Sequence, residues 1–167
     1  MQRNSSSFAY GPESGNYLFK EKICEVENLK WGTSYDVHNV LVVAGAWNGV
    51  NLVMEELSNL ANNNSEKTKV VVVGPNHYQM FHRPINMLGV NVQSFDYIKS
   101  PRISMPNSEN DIDLIIKESP DIIFISNPNN PNAKYLSSVL LKKLIKECEK
   151  KGIYIVIDGG YLVNYIK

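Results

Sequence analysis

Apolar residues in the 167-residue chain follow two kinds of pattern. Four short continuous runs have the length and β-branched content of strands buried on both faces. They are Val40-Leu41-Val42-Val43-Ala44, Val70-Val71-Val72-Val73, Ile122-Ile123-Phe124-Ile125 and Tyr154-Ile155-Val156-Ile157. A fifth strand is predicted over Val90–Phe95. Between these runs, apolar positions recur at helical spacing. They predict helices over 15–30 (ending before Trp31-Gly32), 47–60, 111–117 and 137–151, and one over 79–88 that Pro84 must shorten or kink. The 137–151 helix has Ser137 or Ser138 as a plausible N-cap and Gly152 where a C-cap glycine belongs. Residues 1–14, 62–65 and 96–108 carry the Gly, Pro, Asn and Ser punctuation of loops.

Strand followed by amphipathic helix, repeated, predicts an α/β domain: three layers, α/β/α, around a mostly parallel sheet. No internal repeat or low-complexity linker divides it. The expected organisation is an N-terminal arm over 1–14 and one domain over 15–167. Composition agrees, with 43% hydrophobic and 20% charged residues, ordinary globular values.

Charge narrows the function. Seventeen basic residues balance seventeen acidic ones, and no Lys/Arg cluster offers a footprint for a phosphate backbone or an anionic membrane. Neither nucleic acid nor membrane is expected as a partner. No apolar stretch approaches the roughly 20 residues that cross a bilayer. The Met1–Ser7 segment lacks the apolar core of a secretory signal. The two cysteines, Cys24 and Cys148, lie far apart, which excludes a disulfide framework or a four-ligand zinc site. Two reduced thiols in a cytoplasmic protein are the expectation, with no metal.

In open parallel sheets, ligands bind beyond the carboxyl ends of the strands. The first run is followed by Gly45-Ala46-Trp47-Asn48-Gly49, a glycine turn into a helix whose backbone N–H groups form a natural phosphate site. The Val70–Val73 run is followed by Gly74-Pro75-Asn76-His77-Tyr78, the Ile122–Ile125 run by Ser126-Asn127-Pro128-Asn129-Asn130-Pro131, and the last run by Asp158-Gly159-Gly160-Tyr161. Each has a bland counterpart. The glycine turn can be only a turn, His77 and Tyr78 ordinary loop residues, and the double Asn-Pro a rigid turn. Asp158 can be the cap of a following helix. The combination is harder to dismiss: an anion turn, an aromatic, an amide, and a carboxylate with a phenol.

In this combination the chain resembles the fold-type I enzymes that depend on pyridoxal phosphate, specifically the class I/II aminotransferases. The resemblance runs from Tyr10-Gly11-Pro12-Glu13-Ser14-Gly15 through Ala44-Gly45-Ala46, Gly74-Pro75 and Tyr78. It continues through the double Asn-Pro segment to Asp158-Gly159-Gly160-Tyr161, covering about residues 10–165. It implies the cofactor pyridoxal 5'-phosphate and a role for each matched residue. Backbone groups of Gly45, Ala46 and Trp47 would hold the phosphate. Tyr78, or its neighbour His77, would stack on the ring. Asn130 and Tyr161 would bond the ring hydroxyl oxygen, and Asp158 would pair with the protonated ring nitrogen. Tyr10 would reach the phosphate in a neighbouring subunit, which implies a homodimer. The implied reaction is amino-group transfer between an amino acid and a 2-oxo acid. Decarboxylation, elimination and synthase chemistry share the same apparatus.

The chain departs from the family pattern in having Asn132-Ala133 where Thr-Gly usually follows Asn-Pro, and Gly159 where many members carry an acid. The resemblance also places the Schiff-base lysine a few dozen residues beyond Asp158, whereas Lys167 lies nine residues beyond it. No catalytic residue is therefore assigned in this chain. It is expected to be an incomplete large domain of the aminotransferase fold, without the C-terminal remainder and small domain, and inactive alone. Two alternatives stand beside this reading. One is an S-adenosylmethionine-dependent methyltransferase, on Ile125-Ser126-Asn127-Pro128, although the turn at Gly45 matches its glycine-rich site poorly. The other is a shortened, non-catalytic paralogue.

Overall fold

The computed structural model describes residues 11–61, 68–74, 95–99, 105–130 and 132–160, of which 95–99 are described by their backbone. By contact the chain divides into two compact units, Met1–Gly49 and Val50–Lys167.

In the first unit, helix α1 (Tyr17–Trp31) starts at Asn16, whose side chain accepts the Phe19 N–H, and ends on Gly32 in the left-handed conformation (φ 67°). Leaving the helix with φ positive costs glycine nothing, which explains the stop. A 3-10 turn, Val37–Asn39, follows behind a reciprocal cap between Asp36 and Asn39. The run Val40–Ala44, predicted as a strand, is not one. Among the described residues it carries a single backbone bond to another segment, Val42 N–H to the Ser14 carbonyl at 3.2 Å, and Leu41 is exposed. An aliphatic run becomes a strand only where a neighbouring strand supplies a ladder, and none pairs with it among the described residues.

Helix α2 (Ala46–Ala61) opens at the end of the first unit and continues in the second. The second unit holds strands β1 (Thr68–Val73), β2 (Phe95–Lys99), β3 (Ile122–Ser126) and β4 (Tyr154–Asp158), with helices α3 (Glu109–Lys117) and α4 (Ser138–Lys151). The four strands are parallel in the order β2-β1-β3-β4. Alternate residues serve opposite faces, as the pleat requires. Val70, Val72, Ile122 and Phe124 pack with Met54, Val50 and Leu57 of α2. Val71, Val73, Ile123 and Ile125 pack with Ile112, Ile115 and Ile116 of α3 and Leu140, Leu144 and Cys148 of α4. The expected α/β/α layering is thus present, and its central strands carry the unbroken apolar runs Val70–Val73 and Ile122–Ile125 because both faces are covered.

The helix ends were largely written in the sequence. Ser137 is the N-cap of α4, accepting the Leu140 N–H, and Gly152 its C-cap at φ 67°. α3 begins two residues before the predicted Asp111, because Ser108 and Asp111 form a reciprocal capping box. One loop reading is corrected. Residues 96–99, expected as loop, continue β2, which starts at Phe95 and pairs with β1 from Thr68↔Phe95 to Val72↔Lys99. Phe, Tyr and Ile favour strands, and Asp96 and Lys99 suit an edge position, which hides the apolar run that marks a central strand. The predicted helix over 79–88 and residues 90–94 of the predicted strand lie outside the described residues.

Both cysteines are free and buried. Burial pushes the Cys148 thiol up to about 11, from an ordinary value of 9.0. Between these values the unfolded chain releases the proton and the folded chain keeps it, so alkali favours unfolding. Stability is expected to fall as pH rises from about 9 toward 11. Cys148→Ala should flatten that fall in urea titrations taken across the interval.

Candidate functional site

The carboxyl ends of β1, β3 and β4 are level. Val73 stands opposite Ile125, and Ser126 opposite Asp158. From β1 the chain moves outward to β2, then returns across β1 to β3 and on to β4, so the order reverses between β1 and β3. Such a reversal parts the connecting loops and leaves a crevice at the strand ends, where ligands of open α/β sheets bind.

Asp158 is the last residue of β4 and is partly buried. Its carbonyl accepts the Asn127 N–H at 2.9 Å, which locks it to the end of β3. One carboxylate oxygen, Oδ1, accepts the Gly160 N–H at 3.0 Å, holding the side chain over its own turn. No basic side chain is bonded to this carboxylate among the described residues. It is a fixed acceptor able to take a cationic N–H donor.

The double Asn-Pro segment forms a closed loop beyond β3. Asn127 Oδ1 accepts the buried Leu136 N–H at 2.8 Å, and Ser126 Oγ donates to the Pro128 carbonyl at 3.1 Å. Inside that closure, the Asn129 N–H reaches the Lys134 carbonyl at 2.7 Å and the Ala133 N–H the Asn129 carbonyl at 2.8 Å. Asn130 sits exposed on this loop. Sequence reasoning missed Asn127, which ties down both the Asp158 backbone and the far end of the loop carrying Asn130. The available signal was its position as the first residue after the strand, where a side-chain amide can replace ladder bonds.

In the first unit, Gly45 has φ +87° and donates to the Val43 carbonyl at 2.9 Å, a tight turn that aims the chain into α2. Its own carbonyl accepts the Asn48 and Gly49 N–H groups at 3.2 and 3.4 Å. The amides of Ala46 and Trp47 have no acceptor among the described residues. Helices α1, α3 and α4 each start on a capping side chain, Asn16, Ser108 and Ser137 respectively. The start of α2 has none, and no acid lies in its first turn. Open N–H donors at the positive end of a helix dipole accept an anion, and these residues fit a phosphate group.

Of the sequence-predicted site residues, Gly45, Ala46 and Trp47 belong to the first unit, and Asn130 and Asp158 to the second. Tyr10, Tyr78, its alternative His77, and Tyr161 lie outside the described residues.

The fold recurs among solved structures. It aligns with an aminotransferase from Mycobacterium tuberculosis at a TM-score of 0.67 and 13% identity, covering 89% of this chain and 36% of that one. The alanine aminotransferase of Pyrococcus furiosus gives 0.61 at 18% identity, with 89% and 36% covered. Among curated relatives, a probable aminotransferase of Arabidopsis thaliana, TAT1, is 24% identical over 161 residues. Histidinol-phosphate aminotransferase 2 of Archaeoglobus fulgidus is 27% identical over 133 residues. These matches take 95% and 78% of this chain, which spans 33% and 32% of the two relatives' lengths. The family model for aminotransferase class I and II matches residues 1–163. That match gives the methyltransferase alternative no support. With nearly the whole chain matched and the sheet and its helices shared with solved aminotransferases, this chain belongs to the aminotransferase class I and II family.

Proposed function

We propose that this chain is the cofactor-binding part of a pyridoxal-phosphate-dependent transaminase, which moves an amino group between an amino acid and a 2-oxo acid. The observation that carries the reading is the open start of α2. A left-handed Gly45 leads into two amides without acceptors among the described residues, in a helix that lacks the capping side chain its neighbours have. Family membership supplies the cofactor class that suits such a start.

In this reading Gly45, Ala46 and Trp47 bind the cofactor phosphate through backbone N–H groups. Asp158 pairs with the protonated ring nitrogen and keeps the proton there. Asn130 and Tyr161 bond the ring hydroxyl oxygen, and Tyr78 or His77 covers one face of the ring and excludes water from it. The bound cofactor supplies an electron sink for the substrate Cα. The Asp158 carboxylate serves that sink by stabilising positive charge at the ring nitrogen, and its bond to Gly160 holds it in place beforehand.

The reading extends to a homodimer, with Tyr10 reaching the neighbouring subunit's phosphate, and to residues 15–167 as part of the large domain. It also places the protein in the cytoplasm, which two free buried thiols support. No helix among the described residues is long and apolar enough to cross a membrane.

The test uses pyridoxamine 5'-phosphate and pyridoxamine, amines that cannot condense with lysine side chains. Calorimetric titration of the 167-residue chain is expected to show the phosphorylated form binding at least about tenfold tighter, close to the worth of one charge-assisted hydrogen bond. Gly45→Val, which forces a β-branched residue to φ +87°, should erase most of that preference. Equal affinities of the wild-type chain for the two amines would overturn the reading.

A further inference from the structure

Lys20, on the second turn of α1, is 6% exposed. A lysine is among the residues least often buried, because its ammonium loses hydration. Its only partner among the described residues is a neutral hydroxyl: Nζ donates to Ser14 Oγ at 3.1 Å. No ion pair among the described residues compensates the burial there. Stability alone gives no reason to keep a charge in this place.

What Ser14 does next supplies one. Its carbonyl accepts the Val42 N–H at 3.2 Å, the one backbone bond among the described residues that ties the Val40–Ala44 run to another segment. The adjoining Gly15, at φ +101°, lies so close to Val42 that an added Cβ would stand 2.6 Å from the valine Cβ. Its N–H closes the turn on the Pro12 carbonyl at 3.0 Å. One residue past Val42, the Val43 carbonyl accepts the Gly45 N–H at 2.9 Å. A continuous series of contacts within the first unit thus leads from the Lys20 ammonium through Ser14 and Val42 to Gly45.

We propose that Lys20 is a positioning residue for the phosphate-binding turn: by bonding Ser14 Oγ, its ammonium fixes the segment that aims the Gly45–Trp47 amides. The inference rests on the proposed function for its ligand, and on the contacts above for its mechanism. Lys20 touches no part of the cofactor in this account. Its charge strengthens the bond to a neutral hydroxyl, and an isosteric apolar side chain cannot replace it.

The experiment compares wild type, Lys20→Met, Lys20→Arg and Ser14→Ala in the 167-residue chain by amide hydrogen exchange and by titration with pyridoxamine 5'-phosphate and pyridoxamine. In Lys20→Met and Ser14→Ala, exchange at Val42 and Gly45 should rise about tenfold or more, with Ile123 and Ile155 in the sheet unchanged. The preference for the phosphorylated amine should fall about fivefold or more, the affinity for pyridoxamine staying the same. Lys20→Arg, which keeps a cationic donor, should restore part of both. Unchanged exchange at Val42 and Gly45 would overturn the inference, as would equal weakening toward both amines, the mark of general loosening. If Lys20→Met loses the sheet protection, Ser14→Ala, which leaves the buried methylenes in place, decides the matter by the same two readouts. A wild-type chain that does not prefer the phosphorylated amine overturns the proposed function instead, and exchange at Val42 and Gly45 separates that result from a failure of Lys20 to grip the turn.

Discussion

Asp158→Ala, made in the protein that carries this chain, is expected to lower kcat by about 100- to 1,000-fold, the usual loss when one preorganised electrostatic contact to developing charge is removed. The urea unfolding transition should barely move, because the side chain sits at a strand end and, among the described residues, bonds only to Gly160. Asp158→Asn separates the two roles of the carboxylate. The amide oxygen can still accept the Gly160 N–H, so the turn survives, but the negative charge is gone. If the charge is what matters, Asp158→Asn falls nearly as far as Asp158→Ala. Wild-type turnover in Asp158→Asn would leave Asp158 as a turn former and remove it from the chemistry.

Phe124→Ala is expected to cost about 3–5 kcal/mol, read from the urea midpoint at constant slope. The ring is fully buried on β3, a central strand, and packs with Met54 of α2 and with Val72 and Val156 on the flanking strands. Removing it opens a cavity between two layers that cannot close without moving the helix. Leu114→Ala is the control: this α3 residue is 50% exposed, and its loss should stay within about 0.5 kcal/mol. Since a domain holds only about 5–15 kcal/mol in all, the core variant should unfold near body temperature while the control does not.

The elements that could be read from sequence were those whose cause is local. Val70–Val73 and Ile122–Ile125 declare a strand covered on both sides, and Ser137 and Gly152 bracket α4 by capping chemistry alone. The failures share a different cause. Val40–Ala44 has the composition of a buried strand, yet pairing is a property of the neighbour, and no strand among the described residues pairs with it. Phe95–Lys99 has mixed composition, and its strand character comes from β1 alongside it. The same division runs through the candidate site. Glycine at 45 and the acid at 158 stand out as residue types at strand or run ends. The grip of Asn127 on Leu136, and of Lys20 on Ser14, joins residues nine and six positions apart through side chains, and no periodicity encodes such bonds.

The bond from Asn127 N–H to the Asp158 carbonyl makes Asp158 part of the sheet rather than an attachment to it. Occupancy and melting temperature are then coupled. A ligand held by Asp158 binds only the paired form of β3 and β4, so it raises the unfolding temperature by mass action, about 2.7 kcal/mol at a hundredfold excess over its dissociation constant. A weakened core is rescued by the same route. Phe124→Ala should regain a measurable part of its lost midpoint when titrated with pyridoxamine 5'-phosphate, so that a thermal-shift plate becomes a reporter of the strand end itself.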